Sequence, residues 1–184
     1  MSANVRAVAV ALNAARKVVV VPGYGVAVTQ AQHALAHLAD TLRRGGAEVV
    51  FAVHPVAGRM PGQLDVLLDA AGVAWADRRD LDTAEFPGID VALVVGANDV
   101  VNPRLGMPVF AVERAGAVVV LVDAIGPGYA GRANPVFESA TVLCGELPEL
   151  LRRTEQAVAR IAEPGDDVAE LVEPVVETGD DDRD

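Results

Sequence analysis

Four β-branched residues, Val18–Val21, run straight into the turn Pro22-Gly23-Tyr24-Gly25, and an alanine-rich stretch of helical character follows from Val26-Ala27-Val28. No other segment constrains the fold as much. A short apolar β-branched run reads as a buried strand, the glycines permit a tight turn, and the helix points its positive end back at that turn. Strand, small-residue turn and helix in this order form the βα unit that receives a pyrophosphate in dinucleotide-binding folds. Taken alone, Gly-x-Gly-x-x-Val is a weak fingerprint, because Val28 stands where a third small residue is usual. Its weight comes from repetition along the chain.

Residues 4–16 have the spacing of a short amphipathic helix, and Lys17–Val21 is the first strand. A helix is predicted over Ala27–Arg44, closed by Gly45-Gly46, with a second strand at Glu48–Val53. After the turn-rich loop His54–Gly62 come a helix over Gln63–Ala71, a short strand at Val73–Trp75 and a polar connector over Arg78–Phe86. The strongly apolar strand Asp90–Val95 empties into Gly96-Ala97-Asn98-Asp99. Val109–Val112 and Ala117–Val122 read as further strands, followed by a Gly/Pro-rich loop over Asp123–Pro135, a last strand at Thr141–Leu143 and a helix over Pro148–Ala162. Strands alternating with helices at this spacing predict α/β architecture: a Rossmann-like, doubly wound parallel sheet in a single domain over residues 17–162, preceded by a helix in 1–16.

The composition agrees. Apolar residues make up 52% of the chain and aromatics 4%, so the core must be built from Val, Ala and Leu, as in parallel strands covered on both faces. Residues 163–184 hold ten acidic residues against one arginine, accounting for −9 of the net −11, and read as a disordered acidic tail. Nothing in this balance favours nucleic acid. No apolar run is long enough to span a membrane and no signal-peptide pattern opens the chain, which leads us to expect a soluble, cytoplasmic protein. A single cysteine, Cys144, excludes an internal disulfide and a cysteine metal cluster, and its apolar neighbours suggest a small core residue. His33 and His37, one helical turn apart, have no evident third ligand and read as helix-surface residues, so no metal is expected. No nucleophile–base pair stands out either, and no catalytic residue is assigned.

The glycine-rich segments carry the chemistry. Gly23 and Gly25 would give a phosphate or ribose room against the backbone, or serve only the strand-to-helix turn. Tyr24, between them, suits stacking on a ribose or nicotinamide. Arg59 lies just beyond the second strand, where ligands bind in open α/β sheets, and could pair with a pyrophosphate or form a surface salt bridge. His54 suits a positional hydrogen bond. Asn98 and Asp99 suit polar contacts to the nicotinamide end, with N-capping an equal alternative for Asp99.

Pro22-Gly23-Tyr24-Gly25, His54-Pro55-Val56-Ala57-Gly58-Arg59-Met60-Pro61-Gly62, Gly96-Ala97-Asn98-Asp99-Val100-Val101-Asn102-Pro103 and Gly128-Tyr129-Ala130-Gly131-Arg132-Ala133-Asn134-Pro135 occur in an order and spacing that resemble the NADP(H)-binding domain III of proton-translocating nicotinamide nucleotide transhydrogenase, over roughly Lys17 to Leu150. The resemblance implies a dinucleotide held in reversed orientation and direct hydride exchange with NADH on a domain I partner. It implies cofactor contacts at Gly23, Tyr24, Gly25, Val26, Ala27, Val28, His54, Val56, Ala57, Gly58, Arg59, Gly96, Ala97, Asn98, Asp99, Gly128, Tyr129, Ala130, Gly131 and Asn134.

Three departures qualify it. The chain begins at Met1 with a short helix, so no attached membrane domain and no proton pumping by the chain alone are expected. Only Arg104-Leu105 separate Asn102-Pro103 from Gly106-Met107-Pro108, where the family pattern is longer, close to the surface that meets domain I. The family places a Lys-Arg pair for the 2′-phosphate of NADP at the end of the strand Ala117–Val122, where this chain has Val122-Asp123. A carboxylate there accepts from a free ribose 2′-hydroxyl and repels a 2′-phosphate. NADP(H) is thus the cofactor implied by resemblance, and NAD(H) the one favoured by Asp123, unless Asp123 only caps a turn before Gly126-Pro127-Gly128 and Arg132 or another base binds the phosphate. A nucleotide sensor or binding module without turnover is the alternative function.

Overall fold

A computed structural model describes residues 3–107 and 109–162. Helix α1 (Ala3–Ala14) leads into β1 (Lys17–Pro22), then α2 (Tyr24–Thr29), α3 (Gln32–Arg44), β2 (Glu48–Val53), α4 (Gln63–Ala70), β3 (Arg78–Asp80) and β4 (Val91–Val95). The chain continues through α5 (Phe110–Glu113), β5 (Ala117–Val122), α6 (Val136–Ser139), β6 (Thr141–Cys144) and α7 (Leu147–Ala162). The strands form one parallel six-stranded sheet in the order β3-β2-β1-β4-β5-β6, the doubly wound order, with its switch point between β1 and β4. The predicted acidic tail lies outside the described residues.

Strand residues alternate between two apolar layers. Val18, Val20, Phe51, Leu93, Val95, Val119 and Leu121 pack on the layer that includes residues of α1, α3, α4 and α7. Val19, Val21, Ala52, Ala92, Val94, Val120 and Val122 face the opposite layer, with Phe86, Ile89 and Val112. This explains why the strand sequences read as unbroken apolar runs: both faces are buried.

Several predicted elements need correction. The single helix expected over Ala27–Arg44 is two helices, α2 and α3, because Gln30 adopts a left-handed conformation (φ 57°) and ends α2. Val109–Val112 is not a strand. β4 and β5 are adjacent and parallel, so the chain must cross over between them, and α5 occupies much of that apolar run. Nor is Val73–Trp75 a strand; the strand is Arg78–Asp80, inside the stretch expected to be a polar connector. Its Arg78 side chain is buried and donates to the carbonyls of Asp65 and Val73, with its guanidinium 4.4 Å from the Trp75 ring centroid. Cys144, expected in the core, is exposed at the end of edge strand β6, where only one side of the ladder is paired.

At the amino end of the sheet, Asp90 accepts from the amides of Arg16 and Lys17, both at 2.9 Å, and joins the start of β4 to that of β1. The Lys17 amide first, then that of Arg16, lowers the Asp90 pKa below its ordinary 3.8. A carboxyl lowered in the folded state contributes stability above its unfolded pKa and loses it as the pH falls through the folded value. Asp90→Asn is therefore expected to melt at a lower temperature than the parent at pH 7, with the gap closing below the ordinary value of 3.8. Thermal denaturation across that range checks it, and a constant gap would contradict it.

Candidate functional site

A cleft of about 910 Å³ opens where the loops after β1, β2, β4 and β5 meet, with Tyr24 and Gly25, Val56, Gly58 and Arg59, Gly96 to Val100, and Asp123, Ala124 and Pro127 to Ala130 among its lining. This is the crevice beyond the carboxyl ends of the strands at the switch point. Its volume falls in the range of about 300–1,000 Å³ usual for small-molecule sites.

Its floor is backbone against backbone. The amide of Gly23 donates to Val95 O, that of Gly25 to Gly96 O and that of Gly96 to Leu121 O, each at 2.8 Å. A Cβ added at Gly23 would stand 2.4 Å from Ala97 Cα, and one at Gly25 would stand 2.7 Å from Gly96 Cα. Gly96 has φ +58°, and a Cβ there would lie 2.8 Å from Gly25 Cα. The clearance that the glycines provide is thus filled by the neighbouring turn of the protein itself, which locks the β1 and β4 turns together.

The roof is the loop after β5, held from below by amide and carboxylate side chains. Asp99 Oδ2 accepts from the Ala130 amide at 3.0 Å, and Asn98 Nδ2 donates to Gly126 O at 2.9 Å. Asn134 Nδ2 donates to Asn98 O at 3.0 Å, and its own Oδ1 accepts from the Val136 amide at 3.1 Å. Buried Asn102 donates to the carbonyls of Arg132 and Ala133, both at 3.4 Å. Asp99 Oδ1 is buried with no hydrogen-bond partner.

At the rim, Arg59 bridges three loops. Its guanidinium donates to the Tyr129 hydroxyl at 3.1 Å and lies 5.1 Å from the Tyr24 ring centroid, and the two tyrosine rings meet edge-on at 5.9 Å. The Tyr129 hydrogen bond, then Tyr24, raises the Arg59 pKa above its already high ordinary value, so the group is a permanent cation. It is the only cationic side chain lining the cleft among the described residues. The backbone amide of Arg59 is fixed by Gln63 Oε1 at 2.7 Å.

A protein-family model of the NAD(P) transhydrogenase beta subunit matches residues 1–151. The chain belongs to the NAD(P) transhydrogenase beta-subunit family. It is 43% identical to the NAD(P) transhydrogenase subunit beta of Rhodospirillum rubrum over an alignment covering 78% of this chain and 34% of that protein, and a match of the same extent is found in the strain ATCC 11170. The chain thus spans about a third of the length of these curated relatives. A solved structure from work on the mechanism and regulation of Sir2 enzymes superposes with a TM-score of 0.57 over 88% of this chain and 100% of that one, at 15% identity, which shows a shared Rossmann-like fold.

Among the residues picked out by the transhydrogenase resemblance, Tyr24, Gly25, Val56, Gly58, Arg59, Gly96, Ala97, Asn98, Asp99, Gly128, Tyr129 and Ala130 line the cleft, as does Asp123. The others stand elsewhere. Val26 and Ala57 are buried in the core, Val28 is exposed, and Gly23 serves the β1–β4 interlock; Ala27 and Gly131 also lie outside the lining. Asn134 supports the roof. His54 lies outside the lining: Nε2 is 2.8 Å from Asp82 Oδ1, while Nδ1 accepts from the Val56 amide at 3.1 Å, tying the β2 loop to the segment after β3. Asp99 does not accept from a backbone amide of its own short helical turn; it anchors the facing loop. Val100, Leu105, Met107, Val122, Ala124 and Pro127 also line the cleft and were not anticipated. Being apolar, they carry no chemical signature; only their position in the segment that follows β4, or at and after the end of β5, marks them. His33 and His37 are both exposed on α3, and no group of metal-ligating side chains occurs among the described residues.

Proposed function

We propose that this chain is a nicotinamide-dinucleotide-binding unit of the transhydrogenase domain III type, holding its ligand in reversed orientation and exchanging hydride with a nucleotide on a domain I-type partner. The observation that carries this reading is the convergence of loops from four strands on one cleft at the switch point of a family member's sheet. The residues fit such a ligand: Arg59 for the pyrophosphate, Tyr24 and Tyr129 as ring surfaces, and apolar walls for the bases. When bound, the dinucleotide supplies hydride chemistry at its nicotinamide ring. The chain's own residues bind it, orient it and limit water at the mouth.

Calorimetry of the purified chain with the four nicotinamide dinucleotides tests binding; affinity for none of them would refute the proposal. Hydride exchange is expected on mixing with a transhydrogenase domain I and is absent for the chain alone, because one cleft holds one nucleotide. A sensor without turnover is the second reading. The bridge from Arg59 to Tyr24 and Tyr129 favours it, since a ligand that competes for Arg59 changes how three loops are joined. Tight binding with no exchange against any domain I would select it.

A further inference from the structure

We infer that the cleft selects a dinucleotide whose adenosine ribose keeps its free 2′-hydroxyl, NAD(H) over NADP(H), and that Asp123 is the specificity-determining residue. This rests on the proposed dinucleotide binding and its reversed orientation. Asp123 follows the last residue of β5, is exposed and lines the cleft. Two contacts fix its position. Its Oδ1 accepts from the Leu147 amide at the start of α7 at 3.0 Å, and its carbonyl accepts from Cys144 Sγ at 3.3 Å. Oδ2 makes no hydrogen bond among the described residues and remains an acceptor for a ribose hydroxyl. Asp99, the other lining carboxylate, accepts from the Ala130 amide through Oδ2, and its unpartnered Oδ1 is buried close against Gly128 rather than exposed to a ribose.

The same geometry opposes a 2′-phosphate. The start of α7, the nearby end that could have favoured an anion, is already compensated by the Asp123 carboxylate. The lining holds one arginine against two carboxylates, and that arginine, on the loop after β2, is already engaged with Tyr24 and Tyr129. A phosphate monoester adds about −1.5 to −2 charges at neutral pH, and among the described lining residues Arg59 is the one cationic side chain to meet them. Val122, Ala124 and Pro127 beside Asp123 offer the apolar slot that an adenine needs.

Titration calorimetry of the full chain with NAD+, NADP+, ADP-ribose and 2′-phospho-ADP-ribose decides the matter. The unphosphorylated member of each pair is expected to bind tighter by about tenfold or more, the scale of a charged hydrogen bond gained or left unmet. Asp123→Asn keeps an acceptor for Leu147 and is expected to narrow that ratio, while Asp123→Arg reverses it; Arg59→Ala weakens all four ligands alike. Equal or tighter binding of the phosphorylated ligands by the parent chain overturns the inference, as does an unchanged ratio in a folded Asp123→Asn. So does a loss confined to the phosphorylated pair in Arg59→Ala, which would put the 2′-phosphate beside β2. Binding of none of the four refutes the proposed function itself.

Discussion

Gly23→Ala is expected to destabilise the fold by more than about 3 kcal/mol, lowering the melting temperature of a domain this size by roughly 6–12 °C, and to abolish nucleotide binding. Conformational freedom is not the reason: Gly23 has φ −124°, which alanine adopts without strain. The cost is steric. The new Cβ would meet Ala97 Cα at 2.4 Å, Ala97 Cβ at 2.5 Å and Gly96 O at 2.5 Å, none of them the end of a flexible side chain. Relief requires parting the β1 and β4 turns, which breaks the bonds from Gly23 N to Val95 O and from Gly25 N to Gly96 O. Those turns are the cleft floor, so binding falls with stability. Gly126→Ala is the control, because a Cβ there meets nothing within 4 Å, and its melting temperature is expected to match the parent's. Thermal melts of both variants check the pair; a Gly23→Ala protein as stable as Gly126→Ala would mean that the interlock is loose.

The same glycine shows what a sequence discloses and what it hides. Its requirement for a residue without Cβ is plain from Val21-Pro22-Gly23-Tyr24-Gly25, but the atom that would occupy the space is not. Ligand and neighbouring backbone impose the same constraint, and Ala97 is far from Gly23 along the chain. Strands buried on both faces were legible because their apolar runs have no polar face to interrupt them. β3 was not: its Arg78-Arg79-Asp80 stretch is held by a buried arginine's hydrogen bonds rather than by an apolar pattern. Val109–Val112 had the composition of a strand, and only the need for a crossover between parallel neighbours makes it helical. Tyr24, Arg59, Asn98 and Asp99, which line the cleft, have a chemical signature in the sequence, whereas Leu105, Met107 and Val122 are defined by position alone. Asp99 was recognised as a polar site residue, but its partner, the Ala130 amide, lies on a loop whose path the sequence does not specify.

Asp99→Ala is expected to weaken dinucleotide binding about tenfold or more while costing stability by about 1.5–3 kcal/mol, the worth of a hydrogen bond to a charged group. The loop after β5 has no regular structure between Asp123 and Pro135, so its position depends on side-chain anchors. Asn98 and Asn134 fix its two ends through Gly126 O and Asn98 O, but its centre at Gly128 to Ala130 rests on Asp99 Oδ2. The fit there is close: a Cβ added at Gly128 would come within 1.9 Å of Asp99 Oδ1. Tyr129 lies between those two anchored residues, and through it the carboxylate also sets the hydroxyl that Arg59 donates to. Removing Asp99 therefore frees the roof and releases Arg59 from one of its tyrosines, without touching the core layers. Calorimetry should show the loss of affinity, and hydrogen exchange should show faster amide exchange confined to 126–131. Exchange that rises equally in β1 and β4 would instead make Asp99 a support of the whole sheet edge.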